Sequence, residues 1–132
     1  MNHRNLFIFN GIVCVFFGLG LMFAPVEILK IYAANLSEVP DFALVTAQGY
    51  GTLIFALAIA LFSALKARES LGRRALLLIV CLGNGMLAIL HAYATMKRVE
   101  NSMGWTLVLL VGFLAVWGGM LLMREKPVNL QS

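Results

Sequence analysis

Asn84, His91 and Thr95 stand at i, i+7 and i+11 in an otherwise apolar run, which puts the three on one helical face. In a second apolar run, Gln48 and Thr52 are four apart and also share a face. An imidazole beside amides and hydroxyls can donate and accept hydrogen bonds, and a histidine can hold or release a proton near neutral pH. Polar groups inside apolar segments are rare enough to mark a site by default. The run holding Gln48 heads inward and the run holding His91 heads outward, so the two fall at comparable depth. Two readings stand open. In one, Gln48, Thr52, Asn84 and His91 line an outward-opening pocket for a small amphipathic molecule. In the other, His91 and Gln48 share one interhelical hydrogen bond of about 1 kcal/mol that fixes packing.

The chemistry that is missing narrows the field. No Asp, Glu, Lys or Arg lies within any of the apolar runs. A proton-coupled exporter of this size would need a membrane-embedded carboxylate, so that class is disfavoured. There is no Ser/His/Asp set, no paired carboxylates and no metal-ligand spacing, so no catalytic residue, metal or cofactor is expected. Cys14 and Cys81 sit in separate apolar runs without a CxxC pair and read as small core residues; a redox role would require them to meet. Gly18-x-Gly20 and Gly83-x-Gly85 lie inside apolar runs and not between a strand and a helix, so they are no nucleotide loop. Their recurrence hints at a two-plus-two duplication.

The runs that carry these residues span 6–24, 42–65, 75–96 and 103–123. In a chain of 132 residues, 61% are hydrophobic and 12% charged, with mean hydropathy +0.91. A small soluble domain cannot hide that much apolar side chain from water. A bilayer core of ~30 Å needs about 20 helical residues, and hydrocarbon forces each segment to satisfy its own backbone. The expected fold is therefore all-α: an integral membrane antiparallel four-helix bundle forming one domain. The first run ends Met22-Phe23-Ala24-Pro25, without a small-x-small cleavage site, and reads as a retained helix.

Arg4, Lys66, Arg68, Arg73, Arg74, Arg124 and Lys126 gather on one side of these runs, against Lys30, Lys97 and Arg98 on the other. That bias puts both termini in the cytoplasm. The basic residues flank apolar runs and form no nucleic-acid module; anionic lipid accounts for them. Val26, Leu29 and Tyr32 share a stripe, which predicts a short interfacial helix over 26–34 that either covers the pocket or tucks its apolar face into headgroups. Close helix contacts are expected at Gly11, Gly18, Gly51, Gly85, Gly112 and Gly119, since small residues let backbones approach in lipid. Asn10, at the cytoplasmic end, is expected to cap or bridge helices.

The glycine-rich first helix (Gly11, Gly18, Gly20), its Phe23-Ala24-Pro25 ending, the amphipathic stretch after it and Gln48-Gly49-Tyr50-Gly51 together resemble a family of bacterial four-helix membrane proteins of about 130 residues, distantly DoxX-like. The resemblance covers nearly the whole chain. It implies the four-helix fold, residence in a bacterial inner membrane and a distant kinship with quinone-linked subunits, and it assigns no site residues. The expected function is a non-enzymatic binding or accessory protein for a lipid, quinone or partner subunit, alone or as a homo-oligomer. The alternative is a small oligomeric transporter or channel for an amphipathic solute.

Overall fold

Capping side chains decide where two of the apolar runs begin. The computed structural model describes residues 2–34 and 38–125 as five helices: α1 (His3–Phe23), α2 (Pro25–Tyr32), α3 (Asp41–Ser63), α4 (Leu71–Met96) and α5 (Gly104–Arg124). Lys126, counted in the charge bias, lies outside the described residues. Four of the five helices are long and apolar enough to cross a membrane. No strand occurs among the described residues, only an isolated bridge between Ala33 and Glu100. Asn2 Oδ1 accepts from the Arg4 amide at 3.2 Å, so α1 begins three residues before its apolar run. Ser70 Oγ accepts from the Arg73 amide at 3.2 Å and starts α4 at Leu71. Arg73 and Arg74, expected in a loop, are therefore helical.

The long helices pack as two pairs, α1 with α3 and α4 with α5. Gly18 meets Phe55 and Gly51 while Gly11 lies under the Phe62 ring, so α1 and α3 run in opposite directions. A Cβ on Gly51 would stand 2.8 Å from the Gly18 carbonyl oxygen; only a bare backbone lets the helices come this close. Between α4 and α5 the contacts are ordinary: Gly85 faces Ala115 at 3.8 Å and Gly112 faces Ala88 at 4.0 Å. Gly118 and Gly119 both pack against Cys81.

The two pairs join firmly at one end only, here the closed end. Leu6 and Phe7 of α1, Leu61 of α3, Leu77 and Val80 of α4 and Leu114 of α5 are fully buried in one cluster. Just beyond it, Arg73 Nε donates to Glu125 Oε1 at 2.5 Å, with both side chains about 9% exposed. Arg73 also donates to the Ala67 carbonyl and pairs with Glu69, which ties the α3–α4 turn to the end of α5. A charge this buried is tolerated because its partner and further acceptors accompany it.

At the opposite, open end the pairs are held by backbone hydrogen bonds and by Asn101. Ala34 N donates to Val99 O at 3.1 Å, and Asn101 N donates to Tyr32 O at 2.7 Å. The Asn101 side chain adds bonds to the Ile31 and Ala33 carbonyls, while its Oδ1 accepts from the Met103 amide and turns the chain into α5. The segment after α2 is thus clasped to the α4–α5 turn.

Candidate functional site

Between α3 and α4, above the closed-end cluster, side chains leave a slot of about 1170 Å³. Its α3 wall runs from Ala43 to Leu57, about 21 Å at ~1.5 Å per residue. Aliphatic side chains make most of the lining, with α1 running along it from Asn10 to Leu21, α5 adding Leu107 and Val111, and α2 forming one edge of the mouth. Three polar levels interrupt it: Asn10 lowest, Asn84 and Tyr50 midway, and His91 with Glu100 and Tyr32 at the mouth.

The mouth owes its geometry to the way α4 ends. Arg98 adopts φ 57°, its amide donates to Thr95 O and the Val99 amide donates to Ala94 O, the hydrogen-bond pattern of a Schellman turn. That reversal folds Glu100 back onto the helix it has just left, where Glu100 Oε1 lies 2.7 Å from His91 Nδ1. An ionised carboxylate can only accept, so the ring hydrogen between them belongs to Nδ1, and this bond fixes the orientation of the imidazole at the mouth. The second carboxylate oxygen is buried without a hydrogen-bond partner, lying against Gly104 at the positive end of α5. Gly104 is required there, because a Cβ would strike Thr95 Oγ1 and stand 2.6 Å from Glu100 Oε2. Thr95 itself donates to the His91 carbonyl at 2.8 Å. Burial, reinforced by the neighbouring Glu100, pushes the Tyr32 phenol above its ordinary pKa, so it stays a protonated donor at neutral pH.

The four residues expected to share a pocket are divided. His91 and Asn84 line the slot. Gln48 and Thr52 do not: Gln48 Nε2 donates to the Met22 carbonyl at 3.3 Å, and the Thr52 hydroxyl donates back to Gln48 O at 2.9 Å. Both lie on the α3 face that follows Gly51 and Phe55 toward α1, whereas the slot face follows Thr46, Tyr50, Leu53 and Leu57. Gln48 therefore supplies no partner to His91; Glu100 does. Sequence reasoning passed over Glu100 because it falls in a polar turn, nine residues beyond His91, where an acid looks solvated. Gly104, just inside the next helix, was the one legible hint that something packs there.

Asn84 turns its amide nitrogen onto the Val80 carbonyl at 2.8 Å. Asn10 caps nothing: it is 1% exposed, and its amide nitrogen is buried with no partner. Cys14 lines the slot and Cys81 packs on α5, both as free thiols. Among the described residues no group of three or more His, Cys, Asp or Glu could hold a metal ion. No protein-family model matches the chain, and comparison with curated proteins and with solved structures finds no match either.

Proposed function

We propose that this chain is a non-enzymatic binding or accessory protein of a bacterial inner membrane, which holds an amphipathic lipid-like molecule in the slot between α3 and α4. In this reading the four long helices form an antiparallel bundle with both termini cytoplasmic, and α2 lies at the outer interface. The seven-to-three distribution of Lys and Arg supports that orientation, and the resemblance to bacterial four-helix membrane proteins supports the source.

The observation that carries the proposal is an apolar slot whose mouth presents an oriented imidazole. Averaged over its length, the slot has a cross-section of about 55 Å². A flexible hydrocarbon chain fits, and a hydroxyl or amide on its head reaches the His91 imidazole and the Tyr32 phenol. A quinone or a phospholipid chain belongs to the same class of occupant.

The fully buried cluster of Leu6, Phe7, Leu61, Leu77 and Leu114 closes the slot from below, which favours holding a molecule over passing it. The alternative, a small oligomeric transporter or channel for an amphipathic solute, requires those side chains to part. Native mass spectrometry from nanodiscs tests the binding reading. The wild-type protein is expected to retain a lipid-sized adduct, and His91→Phe is expected to lose most of it with little change in melting temperature. An adduct-free wild type, or a variant with an undiminished adduct, contradicts it.

A further inference from the structure

The slot has a mouth, and it also has an open side. The long helices pack in the order α3, α1, α5, α4: α1 holds α3 on one flank and touches α5 on the other, and α5 holds α4. Above the closed-end cluster no such packing joins α3 to α4, so the four helices form an arc and the slot is its cleft. The rim on α4 is a single stripe, Ile79, Gly83, Met86, Leu90 and Tyr93, which lines the slot over a rise of about 21 Å. Met86 is 71% exposed, Tyr93 60%, and Leu53 on the α3 rim 71%, although all three line the slot. A Cβ at Gly83 would meet nothing within 4 Å. The cleft is therefore open along its length, and in a bilayer that opening faces hydrocarbon. Positive charge gathers where the open side meets the mouth. Lys97 Nζ lies 5.7 Å from the centre of the Tyr93 ring, so an ammonium stands over the last residue of the rim. Arg98 follows in the same turn; both are exposed, and neither joins a salt bridge among the described residues. Glu100, the acid of that turn, is engaged by His91.

We infer that the slot's occupant is a two-chain phospholipid that enters sideways from the bilayer between α3 and α4, with one acyl chain in the slot, the other left outside along the rim, and its phosphate at Lys97 and Arg98. The inference rests on the binding function proposed above and narrows its ligand to one class and one route. Sideways entry keeps both chains in hydrocarbon throughout, whereas entry by the mouth would carry a chain through water. A closed pocket would reject the second chain; an arc open along its length accepts it. Two cations beside the mouth match a phosphate head and attract it electrostatically.

Three probes carrying the same diazirine-bearing chain separate the possibilities: a diacyl phosphatidylglycerol, the diacylglycerol that lacks its phosphate, and a single-chain alcohol. Each is placed at equal mole fraction in nanodiscs with the full-length protein, and adducts are mapped after illumination. In the wild type, phosphatidylglycerol is expected to label Leu57 and Leu87 inside the slot about 5- to 30-fold more than diacylglycerol, as one or two basic side chains acting on an anionic head give. The double variant Lys97→Gln/Arg98→Gln should remove most of that preference and leave labelling by the alcohol unchanged. Gly83→Phe, whose ring has open space to occupy at the rim, should cut phospholipid labelling of the slot. If the alcohol labels the slot and neither two-chain lipid does, sideways entry is overturned while the slot reading stands. Equal labelling by phosphatidylglycerol and diacylglycerol in the wild type overturns the phosphate assignment, whatever the variants do. If none of the three labels the slot, the slot reading falls and the phospholipid falls with it.

Discussion

The two ends of the molecule are built from the same kinds of residue and held in opposite ways. At the closed end, fully buried leucines and Phe7 from four helices interlock, and a buried Arg73–Glu125 pair locks the α3–α4 turn to α5. At the open end, α3 and α4 stand apart, and the two helix pairs are joined by backbone and Asn101 hydrogen bonds between the segment after α2 and the α4–α5 turn. Side chains seal the first; loops span the second. The difference teaches where the empty volume comes from: a clasp of backbone and Asn101 hydrogen bonds holds two helix pairs in place without filling the space between them.

Breaking the closed end should have the largest effect. Arg73→Leu leaves the Glu125 carboxylate buried without its partner and is expected to cost about 3–5 kcal/mol. Thermal unfolding in detergent measures this, and pairing it with Glu125→Leu should recover most of the loss. A smaller effect is expected at the open end from Gly104→Ala, whose methyl must displace Thr95 and Glu100 at about 1–3 kcal/mol. The His91 ring resonances, followed by NMR, should report loss of the Glu100 hydrogen bond while the closed-end core stays unchanged. Removing the clasp side chain with Asn101→Ala should cost about 1 kcal/mol. Amide exchange is expected to quicken around Tyr32 and Ala33 and not at Leu77. Gln48→Leu, which removes one long hydrogen bond from an exposed side chain, is expected to change stability by less than about 0.5 kcal/mol.

These regions also differ in how legible they were. The four long helices follow from apolar length alone, and their starts moved outward by three or four residues where Asn2 and Ser70 supply caps beyond the apolar residues. Gly18 and Gly51 were readable as contacts because small residues at helical spacing have one main use in lipid. The pairing of His91 was not readable from spacing. Depth along a helix is additive in residue number, but the direction a side chain faces depends on which stripe the neighbour takes. On α3 the stripe through Gly51 turned Gln48 toward α1. Glu100 reached His91 only because Arg98 accepts a left-handed conformation, a property of one turn that periodicity does not encode.

Photo-crosslinking with a diazirine-bearing long-chain alcohol in vesicles tests the lipid-holding slot most directly. Adducts mapped by peptide sequencing should concentrate on Ile54, Leu57 and Leu87 inside the slot, and His91→Phe should reduce them. Adducts spread over outward residues such as Phe16 and Leu109, with none in the slot, would contradict the account.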